Sequence, residues 1–134
     1  MEKLFRVLAD RTRLRLLNLM HGREICVCYL VEVLHTNQPK ISRHLAYLRN
    51  SGIVAARREG RWIHYRLVPP SDPAAARILE EVQRRLAEDR AMQQDRARLV
   101  QACCMPRKFV RLSKAPAPAA LPRTGLQPVS AASV

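Results

Sequence analysis

Aromatic side chains are scarce: two Phe, three Tyr and one Trp make up 4% of the 134 residues. A core built from this chain must therefore draw on Leu, Val, Ile and Ala. No apolar run approaches the roughly 18 residues that a membrane span needs. The N-terminal Met1-Glu2-Lys3-Leu4-Phe5-Arg6 has no long apolar stretch of the secretory kind, so a cytoplasmic protein is expected. Glycine is also rare, with four in the chain, and none is gathered into a phosphate-cradling loop. His21, His35, His44 and His64 all precede the last helical segment, which excludes a histidine-carboxylate zinc site there. A thiol-phosphatase cradle, Cys-x5-Arg, fails because Phe109 and Val110 stand where its arginine belongs. No catalytic constellation remains, and no enzyme is expected.

Acidic residues are few as well, 11 against 24 Lys and Arg, and the net charge is +13. That balance favours a polyanionic partner, nucleic acid ahead of an anionic membrane surface. Arg107, Lys108, Arg111, Lys114 and Arg123 fall after residue 104 with no acid among them, yet the first 104 residues keep a net +8. Hydrophobic residues at 48% suit one globular domain. Residues 1–104 are expected to form it. Residues 105–134, with Pro106, Pro116, Pro118, Pro122 and Pro128 among Ala and Ser, are expected to be a basic, disordered tail.

Periodicity orders the domain. Leu4, Phe5, Val7 and Leu8 sit at helical spacing, and Asp10 caps a second helix carrying Leu14, Leu16, Leu17 and Met20 that ends at Gly22. A short third helix is predicted over 25–34. Thr36-Asn37 then caps a fourth, with Pro39 in its first turn and Ile41, Leu45 and Leu48 inward, to about Asn50. Two strands, 53–57 and 62–68, flank Arg58-Glu59-Gly60-Arg61, a hairpin signal. Asp72-Pro73 opens a last helix with Ile78, Leu79, Val82 and Leu86 on one stripe, which thins beyond Asp89 to Met92, Leu99 and Val100. Four helices, a hairpin and a helix is the order of a winged helix-turn-helix: mainly α, with a β-hairpin wing. Its fourth helix would enter the major groove.

Chemistry concentrates in two places. Cys26 and Cys28 lie one residue apart just before the fourth helix, and Cys103 and Cys104 end the last one. In a reducing compartment such close pairs are metal ligands or redox groups more often than disulfides, so all four are candidate soft-metal ligands. On an ideal helix, residues i and i+2 point about 200° apart. Ligation of one ion by Cys26 and Cys28 is thus expected to unwind the helix start and disturb the neighbouring reading helix. On that fourth helix Gln38, Ser42 and Arg43 are candidates for base edges, and Lys40, His44 and Arg49 for phosphates. Arg57, Arg58 and Arg61 at the wing tip suit backbone or minor-groove contact. Trp62 and Tyr65 are expected to pack the wing.

Four segments together resemble the ArsR family of metalloregulatory repressors, arsenite-responsive branch. They are Leu8-Ala9-Asp10-Arg11-Thr12-Arg13-Leu14, Cys26-Val27-Cys28, Gln38-Pro39-Lys40-Ile41-Ser42-Arg43-His44-Leu45 and Gly60-Arg61-Trp62-Ile63-His64-Tyr65-Arg66-Leu67. The resemblance covers about residues 4–68. It departs at Val31, where that branch usually has a third cysteine, and at Tyr29, where Asp is common. It implies a homodimer built on the first and last helices and bound to double-stranded operator DNA. Trivalent arsenic or antimony, the implied effector, would bind cysteine thiolates and release the DNA. The residues leave an alternative open: the same DNA-binding fold, with the thiols a redox or persulfide switch or a sensor of another soft metal or organoarsenical. A small basic RNA-binding protein is the rival from another class.

Overall fold

The computed structural model describes residues 1–104 and 115–121, apart from the side chain of Cys104. Helix α1 (Glu2–Leu8) runs into α2 (Arg11–Met20), whose N-terminus is closed by Asp10, the carboxylate accepting from Arg13 N at 3.0 Å. Strand β1 (Arg23–Cys26) leads straight into α3 (Val27–Leu34). A left-handed His35 (φ 51°) turns the chain towards α4 (Gln38–Asn50), where Asn37 caps Lys40 N at 2.9 Å. Strands β2 (Val54–Glu59) and β3 (Trp62–Leu67) form the wing, joined by Gly60 and Arg61. Gly60 takes φ 58°, a conformation that L side chains avoid. Helices α5 (Pro73–Glu88) and α6 (Arg90–Cys104) follow, and β4 (Ala119–Ala120) lies in the described segment 115–121.

Three expectations change. The third helix begins at Val27, not at residue 25, because Ile25 and Cys26 pair antiparallel with Tyr65 and His64 of β3. The last helix is two: Asp89 is extended and its carboxylate caps a new helix, accepting from Met92 N at 3.1 Å. Part of the presumed tail is ordered, since Ala119 and Ala120 pair with Glu24 and Arg23 and make the sheet β2-β3-β1-β4. An unpaired strand edge offers free N–H and C=O groups, and small alanines can approach it closely. The rest of the expected 105–134 tail lies outside the described residues.

The core is aliphatic, as composition required. Leu16, Leu17, Leu19, Met20, Ile25, Leu30, Ile41, Leu45, Leu48, Met92 and Leu99 are its large, fully buried side chains, and Tyr29 and Tyr65 are the buried aromatic rings among the described residues. Helix α6 docks on α2 and α3 through Met92, Leu99 and Ala102. In the same stripe sits Asp95, 4% exposed, held in a two-point ion pair by Arg15 (2.7 and 2.8 Å). Beside it the buried Asn18 donates to Met92 O at 3.0 Å and accepts from Arg96 Nε at 2.9 Å. Asn18→Ala should cost about 2–3 kcal/mol, because it removes the side-chain partner of Met92 O and of Arg96 Nε in the seam, although Arg96 keeps the Asn18 carbonyl and His21. A denaturant midpoint measures this, and a loss below about 0.5 kcal/mol would show the seam to be hydrated.

Candidate thiol centre and nucleic-acid interface

Cys26 is the last residue of β1 and also the N-cap of α3, with an extended backbone (φ −65°, ψ 142°). Cys28 is the second residue of the helix. The 200° argument therefore does not apply: Cys26 stands outside the helix, and the Cys28 thiol donates to Cys26 Sγ across 2.8 Å. Metal–sulfur bonds of about 2.3 Å set sulfur separations of roughly 3–4 Å, so one ion needs only a small parting of the pair. The helix start has no need to unwind.

The two thiols are not equivalent. Cys26 is held down to about 6, chiefly by the Cys28 hydrogen bond, against burial, with help from the Cys28 and Ile63 backbone N–H groups and the His64 ring. An N-terminal helix end favours a thiolate there as well. Cys28 is pushed up by the same bond, by burial and by the charge on Cys26. The pair thus shares one proton at neutral pH.

Cys103 lies half-buried on α6, packed on the same core cluster as Cys26, Cys28 and Val31. Burial, then the nearby charges of Cys103, Cys28 and Cys26, push the Tyr29 phenol up, so all three thiols act on one phenol. Among the described residues no three His, Cys, Asp or Glu side chains already converge as a metal site. The Cys104 side chain lies outside the described residues.

The candidate DNA residues divide into free and engaged. Gln38, Lys40 and Arg43 are exposed on the first turns of α4, Ser42 is half-buried there, and Arg49 is exposed near its end. His44 turns inward, its Nδ1 at 3.9 Å from Asp10 Oδ1. Arg57 reaches across the sheet to Glu24 (2.7 and 3.1 Å) and also faces Glu59 at 3.6 Å. Arg58 donates to Gly60 O at 3.0 Å, and Arg61 lies 4.9 Å over the Trp62 ring. A phosphate would have to displace carboxylates at His44 and Arg57 but meets Lys40, Arg43 and Arg49 unhindered. Trp62 and Tyr65 pack on the core. Arg13, over the Tyr47 ring at 4.3 Å, went unnoticed in the sequence; only its place in the Leu8–Leu14 segment hinted at it.

Residues 10–56 match the family model described as bacterial regulatory protein, arsR family. The chain is 49% identical over 83 residues to the arsenical resistance operon repressor of Escherichia coli K12, covering 61% of itself and 71% of that protein. A solved structure of the AntR antimony-specific transcriptional repressor is 38% identical, with a TM-score of 0.51 over 63% of this chain and 75% of that one. A homodimeric winged helix-turn-helix DNA-binding domain from Mycobacterium bovis superposes with a TM-score of 0.53 at 30% identity, covering 65% of this chain and 78% of that one. Among the described residues no helix is long and apolar enough to cross a membrane. Fold, helix order and sequence agree: this chain belongs to the ArsR family of bacterial winged helix-turn-helix regulators.

Proposed function

We propose that the chain is a repressor that holds operator DNA as a homodimer and lets go when trivalent arsenic or antimony binds its thiols. The observation that carries the reading is the Cys26–Cys28 pair, sulfurs 2.8 Å apart at the start of the helix that packs on α4. Trivalent arsenic is soft and thiophilic, so a buried, partly ionised dithiol suits it where imidazole and carboxylate do not. Cys103 supplies a third thiolate in place of the cysteine absent at Val31, with Cys104 next to it in sequence. Support for that role is the shared packing cluster and the common neighbour Tyr29. The apolar Phe5 on α1, 53% exposed, offers the second copy a surface, and Val100 on α6, 55% exposed, offers another.

Strain at β1 and the start of α3 is the physical link to DNA. Cys26 pairs with His64 of the wing strand, and Glu24 two residues earlier holds Arg57. An ion that parts the two sulfurs therefore moves the wing anchor and the helix under α4 together. Relative affinity for the two states sets how far the ligand shifts them.

The DNA half is tested on α4. Arg43→Ala should cost about 1–3 kcal/mol and relax sequence preference at one position, as loss of a base contact does. Lys40→Ala should weaken all duplexes alike and lower the salt slope by about one. Equal losses on operator and random duplex for both variants would remove α4 from base reading. The metalloid half is tested by titrating arsenite into the complex.

The low Cys26 value also favours a second reading, in which a peroxide oxidises the pair to a disulfide and is reduced to water. Release by arsenite in the presence of a reductant separates the two.

A further inference from the structure

We propose that Arg13 is a positioning residue for DNA recognition, a strut that fixes the recognition helix α4 against the end of α1. The inference rests on the DNA-binding reading above. Arg13 is on α2, and its side chain is only 14% exposed. Its Nε donates to Val7 O at 2.9 Å and its Nη2 to Arg6 O at 2.9 Å. Those are carbonyls of the last turn of α1; Arg6 O also accepts from the Ala9 N–H at 3.3 Å, while the Val7 carbonyl has no later turn of the helix to meet it. With its edge spent on α1, the flat face of the guanidinium lies 4.3 Å over the ring of Tyr47 on α4. Tyr47 stands one turn after Arg43, on the same side of the helix. Asp10 completes the junction: it caps α2 through Arg13 N at 3.0 Å and faces His44 of α4 at 3.9 Å. One side chain thus joins three helices.

Arginine suits this task and lysine does not. A planar fork bonds two carbonyls while lying flat on a ring, whereas an ammonium is a point charge on a flexible stem. The consequence reaches function because a dimer reads two half-sites about 34 Å apart. If α1 carries the pairing surface, any tilt of α4 relative to α1 appears at both half-sites, with opposite sense. Loosening the strut therefore costs specific binding while leaving the electrostatic attraction to any duplex intact.

The test compares a duplex selected by this protein from a random-sequence pool with a scrambled duplex of the same length. Arg13→Lys, Arg13→Ala, Tyr47→Leu and Tyr47→Phe are measured across a salt series. The strut predicts that Arg13→Lys and Tyr47→Leu each lower the selected-to-scrambled affinity ratio about tenfold, a loss of about 1.4 kcal/mol. Tyr47→Phe keeps the ring and should keep the ratio. Arg13→Ala/Tyr47→Leu should be no worse than Arg13→Ala alone, since both break one interaction. The salt slope should not change. An unchanged ratio in Tyr47→Leu overturns the proposal, even if the Arg13 variants fail to fold. So does a slope that falls by about one with both duplexes equally weakened, which marks a plain phosphate contact. A wild-type protein that shows no preference between the duplexes overturns the DNA-binding reading, and this inference with it.

Discussion

Cys28→Ser should weaken arsenite binding by at least about 100-fold, roughly 2.7 kcal/mol. The substitution replaces a soft sulfur with a hard oxygen of similar shape, so the site loses one of its two adjacent covalent partners and little else. Cys28 is half-buried, and a serine hydroxyl there still donates to Cys26 Sγ, so the fold should survive. Calorimetric titration with arsenite under a reductant measures the loss, and the thermal midpoint checks the fold. Cys26→Ser should weaken binding as much, at a higher cost in stability, because that position is fully buried. A loss below about threefold in both would assign the arsenic to other sulfurs.

The proton shared by the pair gives a second large effect. Replacing two hydroxyls of As(OH)3 by two thiols releases two waters, and each departing hydroxyl takes one thiol proton. With Cys26 held down to about 6, the free pair has lost one of those protons at neutral pH. Binding must then take a proton from solution. Apparent affinity should be level below pH 6 and fall about tenfold per unit above it, about 100-fold by pH 8. Titrations in buffers of differing ionisation enthalpy count the proton directly. The same pair bears on stability with a defined sign. A folded value below the unfolded thiol range adds stability that is present above that range and lost as pH falls through about 6. The raised Cys28 acts oppositely, and takes stability away at alkaline pH. An arsenite affinity that rises from pH 6 to pH 8 would contradict the shared-proton description.

Much of the winged helix was legible because caps and periodicity agreed. Asp10, Asn37 and Asp72 each proved to be a helix cap, and Ile41, Leu45 and Leu48 point inward as their spacing required. The thiol pair was legible as two neighbouring sulfurs but not in its geometry. Helical spacing says nothing of a residue that is both strand end and N-cap, and that double role of Cys26 is what brings the sulfurs together. The last helix was read as one with its stripe thinning beyond Asp89, but Asp89 is extended and caps a second helix. The apolar face of that helix is hard to see because Asp95 lies within it, a core position only through Arg15, 80 residues away in sequence. The Ala119–Ala120 strand was hidden for a related reason: pairing with an open edge depends on the edge, and alanine and proline composition suggests disorder. Arg13 was invisible as a strut because its partners are backbone carbonyls of α1 and a ring on α4.

If an ion on Cys26 and Cys28 loosens the grip on DNA, anisotropy of labelled operator duplex will show the release. Arsenite is titrated into the preformed complex, under a reductant, with wild type and with Cys26→Ser/Cys28→Ser. Wild type should release the duplex, while the double variant should bind it equally well and keep it. Equal release by both proteins would rule the pair out as the sensor and move that role towards Cys103 and Cys104.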